Sequence, residues 1–486
     1  MITALILVPA LAGCAALLIP RNAVRRALLL CAAVTHAGLT VATWLTPVVP
    51  KYAGWLGLDD LSRLFLSITS ALFLAGAVYA VGYLRREGAT AHRTVLGNEP
   101  DAVFIACLLF FLATMTLTVA SRRFGLFWVA MEATTLASAP LIYFHRSERS
   151  LEATWKYLLI CSVGSALALL GTLFLAVAAT SPDRHTLPLL VDALVLKDAM
   201  LQPLWLKTAF IFLLVGYGTK MGLVPLHTWL PDAHSEAPSV VSALLSGALL
   251  NCALLGILRA HQVCAAHGLG AFSGDLLILF GALSMLVAGL FVVGQADFKR
   301  MLAYSSIEHM GIVTLGVGVG GGAAYGALFH ALNHSLAKAL LFLVAGNIMA
   351  AYATKKTHDV TGVLRTTPRT GVLWLVGFLA IVGMPPFATF LSEFVILKTM
   401  IEQGRFAVSV VFLAALALVF IGMAVIMLRM AQGPRPAHVQ PAPLADAWIV
   451  TVPPALLGAA VLVLGVYVPP ALEVFLQRAA RLRGGP

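Results

Sequence analysis

Tyr217-Gly-Thr-Lys-Met-Gly-Leu-Val-Pro225-Leu-His227 reads as an apolar helix that carries one lysine, Lys220, and then meets a proline. A second stretch, Gly383-Met-Pro385-Pro386-Phe-Ala-Thr-Phe-Leu-Ser-Glu393, repeats the design with a carboxylate just after the prolines. Proline inside a helix deletes one backbone hydrogen bond and clashes with the preceding turn. In lipid the freed carbonyls would each cost several kcal/mol, so such breaks must face protein or a wet cavity. Simple proline kinks are the plain alternative. The ionisable residue beside each break favours a functional one. Two broken spans five helices apart also suggest an internal repeat of about five helices around a midplane site.

The surrounding chain fits that reading. Of 486 residues, 60% are hydrophobic and 11% charged, against about 45–50% apolar and about 25% charged in soluble domains. Fourteen apolar runs are long enough for a bilayer core of about 30 Å. They lie near 2–19, 27–46, 61–83, 101–120, 124–144, 151–179, 204–228, 239–261, 273–294, 300–319, 323–350, 371–400, 406–430 and 446–476. The expected fold is an all-α polytopic membrane protein with two inverted five-helix repeats. It forms one membrane domain over 1–486, with flanking helices in 1–96, repeats at 97–262 and 270–431, and a C-terminal helix at 446–476.

The net charge of +11 does not point to nucleic acid, because the basic residues sit in short groups between apolar runs. Loops after odd-numbered spans carry the larger share, including Arg85, Arg86, Lys355, Lys356, Arg365 and Arg369, with Arg122 and Arg123 on the other side. That bias predicts both termini outside the cytoplasm. Leu11-Ala12-Gly13-Cys14 is similar to a lipoprotein cleavage box, but no basic residue precedes it and Arg21, Arg25 and Arg26 follow, as for an uncleaved first span. The six cysteines form no C-x-x-C pair, so neither a disulfide framework nor an iron–sulfur cluster is expected. Walker, H-E-x-x-H and G-x-S-x-G motifs are absent. Gly316-Val-Gly-Val-Gly-Gly-Gly322 lacks the strand context of a dinucleotide site and reads as a tight turn between helices. No cofactor is expected in this chain.

The informative residues are the charges inside the apolar runs, since each costs about 2.5–3.5 kcal/mol at a bilayer centre on insertion scales. Glu132 is mid-span, Lys220 precedes the first break, and Glu393 follows the second. His330, His334 and Lys338 share one helical face, four residues apart. These six are the candidate proton relay. Burial disfavours the ammonium form of a lysine and a near carboxylate favours it, so a Lys220–Glu132 pair of variable separation captures and releases a proton. Histidine suits the bridge onward to Glu393 because its unperturbed pKa is near neutrality. Lys156, His227, Asn251 and Glu308 form a second, weaker group of candidates. The plainer readings are a static Glu132–Lys220 pair, Lys156 and Lys398 snorkelling to the interface, and His309 as a hydrogen-bonded core histidine. His330 and His334 have metal-ligand spacing, but no Cys, Asp or third His completes a set. No metal is expected.

Lys220-Met-Gly-Leu-Val-Pro-Leu-His-Thr-Trp-Leu-Pro-Asp-Ala-His-Ser-Glu-Ala-Pro238 resembles the signature of antiporter-like membrane subunits of respiratory complex I, Mrp cation/proton antiporters and energy-converting hydrogenases. Arg300-Met-Leu-Ala-Tyr-Ser-Ser-Ile and His330-Ala-Leu-Asn-His-Ser-Leu-Ala-Lys-Ala-Leu-Leu-Phe342 extend the likeness, which runs from about residue 60 to 430. Glu132-Ala-Thr-Thr-Leu-Ala-Ser is most similar to the F component of hydrogenase-4. The resemblance implies that Glu132, Lys220 and Glu393 are the family's proton-handling residues of the fifth, seventh and twelfth helices, with Lys338 matching a lysine of the eleventh. It implies a bacterial inner membrane, partner membrane subunits and a peripheral redox arm of hydrogenase or NADH dehydrogenase type, with protons or sodium ions as the cargo. One departure is Leu249-Leu250-Asn251, where many complex I members carry a lysine in the eighth helix; Asn251 cannot carry a proton's charge. An antiporter subunit without a redox partner and a non-conducting scaffold are the competing readings.

Overall fold

The structure is a computed structural model that describes residues 1–87, 100–180, 187–196, 199–436, 439 and 446–481. The expected boundary between flanking helices and first repeat, at 96–97, lies outside the described residues, as does the Arg86 side chain.

The described chain is helical, with no strand beyond isolated bridges such as Lys51 with Leu56. The helices are α1 (Ile2–Leu18), α2 (Asn22–Leu45), α3 (Asp60–Glu87), α4 (Pro100–Ala120), α5 (Phe124–Ile142), α6 (Glu148–Ala178), α7 (Val191–Leu194), α8 (Pro203–Met221), α9 (Trp229–Glu236) and α10 (Ser239–Leu244). There follow α11 (Leu250–Ala266), α12 (Gly270–Val292), α13 (Phe298–Val319), α14 (Gly322–Tyr352), α15 (Val363–Thr366), α16 (Pro368–Ile381), α17 (Ala388–Glu402), α18 (Phe406–Ala431), α19 (Trp448–Val466) and α20 (Pro470–Ala479). Among the described residues, ten helical stretches are long and apolar enough to cross a membrane, and α1 and α16 are apolar but shorter. This is a multi-pass membrane protein.

Local chemistry marks the helix ends. Ser147 and Ser150 form a reciprocal capping box at the start of α6. The Asp297 carboxylate accepts from the Lys299 and Arg300 amides at the start of α13. Proline opens α8, α16 and α20, where its missing N–H costs no helical bond.

Both broken helices are present. α8 stops at Gly222, which sits at φ 82° where a side chain would be strained, and the chain resumes as α9. The seventh span's helical path therefore continues through α9, beyond the 228 expected from hydropathy, because Trp229–Glu236 is helical yet too polar to register as apolar. α16 stops at Ile381 and α17 begins at Ala388. Val224–Pro225 and Pro385–Pro386 are cis. Each broken helix packs on the 31-residue helix just before it, α8 on α6 and both α16 and α17 on α14.

Packing separates centre from rim. The path α10–α11 is buried except in its last turns and is joined by a π-helical turn, Leu245–Leu249. α14 lies beside it and touches α13, α16, α17 and α19 as well. Rim helices α6, α12, α18 and α19 expose an apolar face, as lipid-facing helices do. Close helix pairs rely on small residues: a side chain at Gly216 would strike Ala168 and Gly164 across α6–α8, and one at Gly281 would strike Gly311 and Leu315 across α12–α13.

Two sequence expectations change. The C-terminal helix expected over 446–476 is two helices, α19 and α20, because Pro469 and Pro470 force the preceding chain out of helix. The glycine run is a turn only at Gly320 and Gly321, since Gly316–Val319 finish α13.

Candidate functional site

The first broken helix presents Lys220 to α5. Its ammonium is 1% exposed and donates to the Met131 carbonyl at 3.2 Å and to Thr135 Oγ1. Glu132 Oε2 lies 3.9 Å from Lys220 Nζ. That carboxylate accepts from Ser165 Oγ and, at 3.4 Å, from Ser162 Oγ, both on α6. Glu132 is 25% exposed, so the pair reaches from the interior to the α5–α6 surface. His227, just past the same break, is buried with Nδ1 unpartnered among the described residues.

Asn251 marks the centre. Its Nδ2 donates to the Gly247 carbonyl at 2.9 Å, within the π-helical turn, and to Ser335 Oγ on α14 at 2.7 Å. Ser246 in the same turn bonds Ser306 of α13 at 2.8 Å. Where the resemblance led one to look for a lysine, the structure has a hydroxyl–amide junction between three helices.

On α14, Lys338 donates to the Leu302 carbonyl at 2.8 Å, and His334 is fully buried with both ring nitrogens unpartnered among the described residues. His330 Nε2 lies 2.8 Å from His309 Nδ1, and His330 Nδ1 lies 2.8 Å from Ser392 Oγ. His309 Nε2 faces Glu308 Oε2 at 3.7 Å. Glu393, one residue past Ser392, is 7% exposed with Oε1 unpartnered among the described residues. Thus His330, His334, Lys338, Glu308 and Glu393 converge, and Glu132 with Lys220 forms a separate pair.

Lys156 belongs to neither group. It is 46% exposed and pairs with Glu152 at 2.6 Å and Asp232 at 3.0 Å. It lines a polar cavity of about 290 Å³ with Asp232, Glu236, Asp297, Arg300 and Lys355. Lys355 pairs there with Glu236 at 2.5 Å and with Asp297 at 3.6 Å, and Arg300 pairs with Asp232. Lys398 is likewise exposed and paired with Glu402 at 3.7 Å.

Sequence reasoning missed several members. His309 joins His330 from the neighbouring helix, so a third histidine is present that one-helix spacing could not reveal. Thr135 and Ser392 hold the charged groups by hydroxyls that look ordinary in an apolar run. His234, stacked on Phe342 with centroids 4.8 Å apart, is buried with both ring nitrogens unpartnered among the described residues. Arg259 is 2% exposed, donates to Ser62 Oγ at 2.9 Å, and lies 5.7 Å from the Phe127 ring centre. Its only sequence signal was an arginine inside an apolar run.

A family model described as NADH:quinone oxidoreductase/Mrp antiporter, transmembrane, matches residues 121–420, a range that includes Glu132, Lys220, Asn251, Lys338 and Glu393. The chain belongs to that family. It is 36% identical over 343 residues to a hydrogenase-4 component F homolog of Methylacidiphilum infernorum, covering 70% of this chain and 71% of that protein. A chain of the Mrp complex from Dietzia sp. matches in fold with a TM-score of 0.85 at 22% identity, over 99% of this chain and 97% of that one. A chain of respiratory complex I from Thermus thermophilus matches with a TM-score of 0.81 at 24% identity, over all of both chains. The similarity to the hydrogenase-4 F component expected from the Glu132 stretch is present.

Proposed function

We propose that this chain is the proton-translocating, antiporter-like subunit of a redox-driven membrane complex of hydrogenase-4 or NADH:quinone oxidoreductase type. The observation that carries the reading is the Lys220–Glu132 geometry beside the first break. At 3.9 Å the two are close enough to interact and too far for a direct hydrogen bond. Each is held instead by hydroxyls, Thr135 for the lysine and Ser165 for the carboxylate. A short approach of Glu132 stabilises the ammonium, and withdrawal releases its proton. The hydroxyls of Ser246, Ser306 and Ser335 beside Asn251 connect toward Lys338, and the histidines connect toward Glu393. The charge-lined cavity at Lys156 and Asp232 supplies water contact on the face that carries the basic loops.

In this reading the chain crosses a bacterial inner membrane fourteen times, with α8–α9 and α16–α17 each counting once and both termini outside the cytoplasm. Five helices per repeat is an odd number, so the second repeat runs inverted. Glu132, partly exposed on the α5–α6 surface, is covered by a partner subunit, since a carboxylate facing lipid is costly. Electron transfer belongs to a peripheral arm, and this chain performs no catalysis by itself.

In membrane vesicles holding the intact complex, Glu132→Gln or Lys220→Ala is expected to abolish coupled proton uptake while assembly persists. Unchanged uptake in both variants rejects the relay. The family likeness to Mrp proteins gives the rival a definite signature: sodium-dependent proton flux with no co-purifying redox subunit would replace this reading with a cation/proton antiporter.

A further inference from the structure

We propose that His309, His330 and Glu393 form a binding site for a divalent transition metal of the zinc class. One donor atom from each of the three lies within 4.8 Å of the other two, all in buried residues.

Hydrogen bonding determines which nitrogens are available. The Ser392 hydroxyl gives its single proton to the Thr389 carbonyl at 2.7 Å, so its oxygen accepts from His330 Nδ1. His330 Nε2 is then a lone pair, and His309 Nδ1 donates to it at 2.8 Å. Moving the His309 proton from Nδ1 to Nε2 points it at the Glu308 carboxylate, 3.7 Å away. Two imidazole lone pairs now face each other across 2.8 Å. Two nitrogens bound to one tetrahedral zinc at about 2.0–2.1 Å lie about 3.3 Å apart, so a small opening of the pair admits the ion. Glu393 Oε1, without a protein partner among the described residues, supplies the oxygen.

Two imidazoles and one carboxylate are a zinc donor set that leaves a position open. Imidazole suits zinc, copper and nickel, whereas magnesium and calcium take oxygen ligands. Ser392 fixes the tautomer of a ligating histidine, as outer-shell partners do in metal sites. The Gly383 backbone at the second break abuts the Glu393 carboxylate. A bound ion occupies the lone pairs a proton would use, so the site is inhibitory. That consequence rests on the relay reading; the binding does not.

The test is a Co²⁺ titration of the full, untagged chain in lipid nanodiscs, followed by visible absorption, with retained Zn²⁺ counted by elemental analysis. Expected are one ion per chain, tetrahedral d–d bands, and no thiolate charge transfer. His309→Ala and Glu393→Gln abolish the bands, while His358→Ala, at an exposed loop position, leaves them intact. Ser392→Ala weakens binding roughly 10–100-fold and guards against misfolding of the harsher variants. No bands in the wild type, or bands that survive in both His309→Ala and Glu393→Gln, overturn the site. In translocating vesicles zinc is expected to stop proton flux, with the same loss of potency in Ser392→Ala; tight binding without inhibition overturns the inhibitory role.

Discussion

The two breaks share a backbone plan and differ in chemistry. At the first, an ammonium and a carboxylate stand 3.9 Å apart, each held by its own hydroxyl, and the carboxylate reaches the α5–α6 surface. At the second, a carboxylate meets stacked imidazoles in the interior, and Glu393 Oε1 and both His334 nitrogens have no hydrogen-bond partner among the described residues. Buried polar atoms are nearly always satisfied, by protein, water or an ion. The first break is therefore a satisfied charged pair whose behaviour turns on a small change of distance. The second is a lined site that depends on what enters it.

The sharpest way to break the comparison is to remove a charge from each side. Lys220→Ala and Glu393→Gln are both expected to stop coupled proton uptake in vesicles. Only Lys220→Ala leaves the cobalt site intact. If each variant impaired both assays, the two regions would be one site and the distinction would fall.

Asn251→Ala probes what lies between them. It removes bonds to the Gly247 carbonyl and to Ser335, a loss of about 1–3 kcal/mol for groups left buried without partners. Thermal or denaturant unfolding should show that loss while proton uptake persists, because an amide carries no exchangeable charge. Abolished uptake in a well-folded variant would make Asn251 a member of the relay.

Glycine substitutions sharpen the contrast further. Gly222 and Gly383 both have positive φ, 82° and 66°, so alanine at either costs about 1–2 kcal/mol. At Gly222 the new methyl meets the Leu230 side chain, and at Gly383 it meets the Glu393 carboxylate. Matching stability losses are expected, with proton uptake falling only in Gly383→Ala. Equal uptake in the two would show that the Glu393 position is not critical.

The smallest effect belongs to Lys156→Ala. Lys156 is itself exposed where it pairs with Glu152 and Asp232, so melting should report about 0.2–1 kcal/mol, with proton uptake unchanged. A large loss of uptake would move Lys156 from the cavity rim into the relay.

Much of this was legible in the chain. Apolar runs longer than a bilayer core can only be helices, because lipid offers backbone groups no other partner. Proline together with a nearby charge marked both breaks, whereas Pro9 and Pro140 sit inside unbroken helices with no charge beside them. Glu132, Lys220, Lys338 and Glu393 stood out on those grounds, because each is too costly in lipid to be incidental. His309 could not be assigned, since its meaning comes from His330 on another helix. Ser392, Thr135 and Ser165 were invisible because a hydroxyl inside a helix is cheap: it bonds its own backbone until a neighbour turns it to use. Lys156 was ambiguous near a span end, and only the carboxylate of Asp232, brought alongside from α9, placed it at the rim. The sequence by itself determined helices, breaks and the residues too polar for lipid. Tertiary structure alone decided which of them touch, because contact between helices depends on packing distances of a few ångströms that no spacing along one chain records.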